Sequence, residues 1–160
     1  MSLQQATPGP WTHNEGNPTR IIGPNDETVA VLYGGTVGLS KQFENAALMA
    51  ATPSLYAYVT EQASTGDTDA QKIVESLEGE EAVSGPWKYD DFNPRQIIDA
   101  DSTTIASVFG RMSDDGIQLA NAQLIGAAPV MRDYVRTQSE GGDQAATDLL
   151  QATQPQAAPA

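Results

Sequence analysis

The chain has 160 residues, 39% hydrophobic and 18% charged, which suits one folded domain or two small ones sharing an interface. It carries 21 acidic against 8 basic residues, and a formal charge of −13 opposes direct binding to nucleic acid or to an anionic membrane surface. Cysteine is absent and His13 is the single histidine, so disulfides and thiolate chemistry are excluded and any imidazole-based triad or metal site has one ring to draw on.

In chain order, Thr7-Pro8-Gly9-Pro10 is a stiff, turn-prone lead-in, and Trp11 opens an extended segment ending near Glu15. Gly16-Asn17-Pro18 reads as a turn and Thr19 to Ile22 as a second strand. After the turn Gly23-Pro24-Asn25-Asp26, the β-branched run Thr28 to Tyr33 is the third strand. From Gln42 the period changes: Phe43, Ala46, Ala47, Ala50 and Ala51 fall at helical spacing. Pro53 interrupts them. With Thr52 as N-cap, it predicts one helix ending near Ala51 and another beginning at Pro53, the alternative being a single kinked helix. Gly66-Asp67 stops that helix, and Asp67 is placed to cap a short third one over Asp69 to Val74.

The same plan then recurs. Displaced by 76 positions, residues 9–74 lie on 85–150 without a gap, about a third of them identical. Gly9-Pro10-Trp11 falls on Gly85-Pro86-Trp87, Asn17-Pro18 on Asn93-Pro94, Ile21-Ile22 on Ile97-Ile98 and Asn45-Ala46 on Asn121-Ala122. Pro53 falls on Pro129, Tyr58-Val59 on Tyr134-Val135 and Gly66-Asp67 on Gly142-Asp143. A long period occurring twice is a duplicated unit rather than a solenoid. The expected fold class is therefore α+β, a tandem duplication of a three-stranded meander followed by helices, packed as an intramolecular pseudo-dimer. The expected divisions are repeat 1 over 7–74, an acidic junction over 75–84, repeat 2 over 85–151 and a disordered Gln, Ala and Pro tail over 152–160.

The retained pairs sort by chemistry. Trp11 with Trp87, Ile21 with Ile97, Ile22 with Ile98 and Leu48 with Leu124 read as core, although each tryptophan can also line a ligand groove by stacking. Asn45 with Asn121 is less easily explained, since asparagine is a mediocre helix former; its amide can pin helix to strand or serve a paired recognition site. Gln42 with Gln118 and Gln62 with Gln138 read as surface residues, and His13, opposite Tyr89 in the second copy, as an exposed strand residue.

The acidity is spread evenly, −7 over residues 1–80 and −6 over 81–160. It fits solubility, an acidic face competing for a basic groove on another protein, or a cation-binding surface around Asp99-x-Asp101 or Asp114-Asp115. The spacing of these last matches no calcium loop, and no metal or cofactor is expected. Glu75, Glu78, Glu80, Glu81, Asp90 and Asp91 are the candidate contact acids. Basic groups for a phosphate-bearing ligand are scarce, Arg20 and Arg95 with Lys41 and Arg111 being nearly the whole supply near the shared elements. Gly34-Gly35-Thr36-Val37-Gly38 lacks the lysine of a phosphate loop, and no constellation meets the needs of a catalytic reaction.

Gly85-Pro86-Trp87, Ile98-Asp99-Ala100-Asp101, Ile105-Ala106-Ser107-Val108 and Ala120-Asn121-Ala122-Gln123-Leu124-Ile125-Gly126-Ala127-Ala128-Pro129 together carry a motif. In it the chain resembles small, mostly uncharacterised accessory proteins of bacteriophages and prophages; the first copy departs from the motif at Gly23. The resemblance implies a viral or prophage origin and transfers no catalytic residue. The expected function is a non-enzymatic phage accessory protein that inhibits a host component such as an antiviral defence factor. It would act by an acidic surface or by sequestering a small signalling nucleotide; a virion decoration protein is the alternative. The opening Met1-Ser2-Leu3-Gln4-Gln5 lacks a signal-peptide pattern, no apolar run is long enough to cross a bilayer, and the expected location is the cytoplasm of an infected or lysogenic cell. The expected partner is a host protein or that nucleotide, with further self-assembly left open.

Overall fold

The computed structural model describes residues 6–7, 9–14, 17–32, 39–78, 86–90, 93–108 and 115–154, with the backbone alone at 14, 17–19, 39–41, 88–90, 93–95 and 115–119. In chain order it runs β1 (Thr12–Asn14), β2 (Asn17–Ile22), β3 (Thr28–Leu32), α1 (Leu39–Ala50), α2 (Thr52–Ser64) and α3 (Thr68–Glu78). It continues with β4 (Lys88–Asp90), β5 (Asn93–Ile98), β6 (Thr104–Val108), α4 (Asp115–Glu140) and α5 (Gln144–Ala152). The six strands form one antiparallel sheet in the order β1-β2-β3-β6-β5-β4.

Strand registers in the two halves correspond residue by residue. Ile21 faces Ala30 and Ile22 faces Thr28, with a bulge between the pairs; Ile97 faces Ala106 and Ile98 faces Thr104 in the same way. In the middle Val31 faces Ser107, while Ala30 faces Val108 and Leu32 faces Ala106. Asn17-Pro18, expected as a turn, instead begins β2, as Asn93-Pro94 begins β5. Proline is tolerated there because it is near the start of a strand.

The two β2–β3 type hairpins reach one turn by different chemistry. In the second, the Asp99 carboxylate accepts from the N–H groups of Asp101 and Thr103, both at 2.9 Å, and Ser102 takes φ 63°. In the first, glycine replaces that aspartate, and Glu27 reaches back from the far side of the turn to accept from Asn25 N–H at 2.8 Å, with Asp26 at φ 63°. The Glu27 carboxylate occupies the space a Cβ on Gly23 would need. Gly23→Asp alone is therefore expected to cost about 1 kcal/mol, and Gly23→Asp with Glu27→Thr to regain it. A urea-denaturation double-mutant cycle checks this; additive losses would refute the exchange.

Helices α1 and α4 both lie on the sheet and touch each other, so one face of the sheet carries the helical layer; α2, α3 and α5 pack further out against them. Residues 120–129 of α4 are buried throughout, which a stretch sandwiched between sheet and outer helices requires. Trp11, Trp87, Leu48 and Leu124 are buried, and Ile21, Ile97, Val59 and Val135 are wholly so. Ile22 is half-buried. Gln42, expected at the surface, is buried, so this face of α1 is broader than its alanines suggest. Gly9 closes on α2: a Cβ there would stand 2.7 Å from Pro53 Cβ.

The proline acts differently in the two halves. In the first, Ala51 separates α1 from α2, and the Thr52 hydroxyl donates to Leu48 O at 3.4 Å; Thr52 is the first residue of α2 and not its N-cap. The competing hydroxyl favours a local break. In the second, Ala128 stands in place of Thr52 and α4 runs through Pro129 as one continuous helix.

Both helices close alike. Gly66 (φ 104°) and Gly142 (φ 101°) adopt the left-handed conformation. Asp67 N–H then donates to Gln62 O at 3.2 Å and Asp143 N–H to Gln138 O at 3.1 Å, each completing a Schellman closure. The same aspartates cap the next helix, as expected, accepting from Ala70 N–H at 3.0 Å and Ala146 N–H at 3.2 Å. Two expected boundaries move. Glu75 and Glu78 belong to α3 rather than to a junction, and the ordered chain continues past 152, with Thr153 buried at the end of α5. The Thr153 hydroxyl donates to Leu150 O at 2.7 Å, which closes that helix end.

Candidate functional site

Two places combine polar chemistry with shape. The first is a seam where the halves meet. Tyr58 on α2 and Tyr134 on α4 stand with ring centroids 6.2 Å apart, tilted at 52°. Tyr58 Oη donates at 2.7 Å to Asp143, the N-cap of α5, so a side chain of one half is tied to a helix cap of the other. Tyr134 mirrors Tyr58 and has Asp67 as its carboxylate neighbour, but among the described residues its buried hydroxyl has no partner within hydrogen-bond distance. Burial raises the pKa of both phenols, reinforced by Asp143 at Tyr58 and by Asp67 at Tyr134. The Asp143 carboxyl is held below its usual range, first by the Tyr58 hydroxyl and then by Ala146 N–H. The seam was partly legible: Tyr58, Tyr134, Asp67 and Asp143 are all retained pairs, but a helix-face tyrosine and a capping aspartate carry no sign that they will meet across the halves.

The second place is a cleft of about 310 Å³ between β1, the α1–α2 break and the end of α5. Its apolar wall is Trp11 with Ala47, Ala50, Ala51 and Ala152; its polar groups come from Thr12, His13, Ser54 and Gln154. His13 pairs with Ile21 and so shares the helix-facing side of the sheet; it is half-buried rather than exposed, and its Nδ1 is buried without a partner. Trp11 is 4% exposed and donates Nε1–H to Thr7 O at 3.1 Å. It forms wall, with too little free ring to stack a ligand; Trp87 is similarly buried.

The other expected residues scatter. Asn121 accepts from Thr7 N–H at 2.8 Å and donates to Thr7 Oγ1 at 2.9 Å, so its amide pins the lead-in of the opposite half. Asn45 is buried on α1. Neither faces the cleft. Arg20, next to Ile21 on β2, points to the other side of the sheet from His13, and donates to Thr28 Oγ1 at 2.6 Å. Glu78 is exposed on α3. The side chains of Arg95 and Asp90, and Glu80, Glu81 and Asp91 entirely, lie outside the described residues, as do Lys41 and Arg111. Among the described residues no cluster of three or more His, Asp or Glu could hold a metal, and no helix is long and apolar enough to cross a membrane. Comparison of the chain with protein-family models, with characterised proteins and with solved structures returns no match.

Proposed function

We propose that the chain is a non-enzymatic accessory protein of a bacteriophage or prophage that inhibits a host defence component by covering a basic surface on it. The observation that carries the reading is the charge layout of the exposed surface of the helical layer. Lys72 and Arg136, the exposed cations on the described part of that layer, each stand beside an aspartate one turn away, Asp69 at 3.9 Å and Asp133 at 3.1 Å. Glu61, Glu75, Glu78, Glu140 and Asp148 are exposed around them. A net negative surface accelerates encounter with a basic partner and makes binding salt-sensitive. The nucleotide reading draws less support, since no Lys or Arg is among the described residues lining the cleft and Arg20 points to the other side of the sheet.

The reading includes the architecture: two copies of one unit fused as a pseudo-dimer. It is supported by the repeat in the sequence and by strand registers that correspond at a constant offset of 76.

Affinity purification from infected cells tests the function. The expected result is a basic host protein recovered with the wild-type chain, released by raised salt, and lost from the Glu61→Lys/Glu75→Lys/Glu78→Lys variant. Recovery that ignores both salt and charge reversal would overturn the acidic-surface reading. Detection of the chain in purified particles would replace it with a virion role.

A further inference from the structure

We infer that the cleft beside His13 is a binding site for a small uncharged molecule of nucleobase size that carries a hydrogen-bonding edge on an otherwise apolar body. This inference is independent of the acidic surface. The volume, about 310 Å³, is at the lower end for small-molecule sites. Its wall is alanine methyl groups and indole, which favour an apolar body. The last turn of α5 borders the cleft through Ala152 and Gln154, and Thr12, His13, Ser54 and Gln154 bring side chains that can each donate or accept a hydrogen bond. A helix C-terminus carries partial negative charge, the wrong end for phosphate or carboxylate and the right end for N–H donors. A full positive charge is disfavoured as well, because no carboxylate is among the described residues that line the cleft to offset its desolvation.

The internal duplication accounts for the opening. Ala47 and Ser54 correspond to Gln123 and Val130 in the second half, where the larger Gln123 is buried. Smaller side chains at these two places leave room on the first half, and glutamine and valine, the residues at the matching positions of α4, are the plugs to try.

The test uses the full chain and adenine as probe, followed by NMR through the lone histidine ring and the two indole N–H signals. The expected result is a saturable shift of the His13 and Trp11 signals, with Trp87 unmoved, at adenine concentrations up to about 1 mM, the weak end of specific binding. Ala47→Gln/Ser54→Val should weaken it at least about tenfold; if that pair fails to fold, Ser54→Val alone, at an exposed position, should weaken it measurably. AMP should bind more weakly than adenine. Absence of a saturable shift, equal binding by the plugged variants, or AMP binding as well as adenine would each overturn the inference. Salt and helix-layer charge reversal should leave adenine binding unchanged, which separates its failure from that of the acidic-surface reading.

Discussion

Replacing Asn121 with alanine is expected to destabilise the chain by about 2 kcal/mol, the sum of two hydrogen bonds lost inside a closed site. The asparagine is 0% exposed, and two of its bonds go to Thr7, 114 positions away in the sequence. Thr7 O in turn receives the Trp11 indole, so the amide fixes the segment that seats the first tryptophan. Thr7→Ala removes one of the two bonds and should cost about 1 kcal/mol. Since the two residues share their bonds, the double variant should lose less than the sum of the singles. Urea denaturation gives the energies, and Trp11 emission reports the loosened lead-in. A loss under about 0.5 kcal/mol for Asn121→Ala, the range of an ordinary surface change, would show that the amide is not holding the two halves.

The tyrosine seam gives the second large effect, because equivalent substitutions should behave differently. Tyr58→Phe deletes a bond to a carboxylate and should cost about 1.5 kcal/mol; Tyr134→Phe deletes a buried hydroxyl whose carboxylate neighbour, Asp67, stands outside hydrogen-bond distance, and should cost less. The pH dependence follows from the shifts. Both phenols have folded pKa values above their unfolded value of about 10, so the stability they contribute is complete below that value and is lost as pH rises through the folded ones. Asp143 is the opposite case: its folded pKa is depressed, so its contribution is present above the unfolded value and is lost as pH falls through the folded one. Phenolate absorbance followed beside circular dichroism should show at least two of the five tyrosines, Tyr58 and Tyr134, ionising only as the fold is lost, with the partly buried Tyr56 also late. Full ionisation near pH 10 with the dichroism intact would refute the arrangement.

Much of the fold was legible because the sequence carries its own comparison. Trp11 and Trp87 or Ile21 and Ile97 stand out as core by recurring at the 76-residue offset, and Gly66-Asp67 with Gly142-Asp143 announces a left-handed stop followed by a cap. Less legible was whatever depends on a neighbour distant in sequence. Pro53 and Pro129 are the same residue in the same motif, and the single hydroxyl of Thr52 goes with a break in one helix while the other runs on. Gln42 looks like a surface glutamine until α1 is laid on the sheet. The cleft was hidden for a further reason: it arises from what Ala47 and Ser54 lack relative to Gln123 and Val130. A missing side chain gives no signal until the backbone positions it.

The meeting of β3 with β6 about Val31 and Ser107 has a consequence for handling the protein. The sheet ends in three-residue strands, β1 and β4, which offer little backbone to a stray chain. Its centre is the opposite. Each central strand faces its counterpart in a register that a second molecule's β3 or β6 could supply equally well. Opening one half exposes a five-residue template whose best match is another opened molecule. Concentrated samples held near the unfolding transition should therefore exchange halves and form dimers with native secondary structure, while dilution before refolding favours the closed single chain.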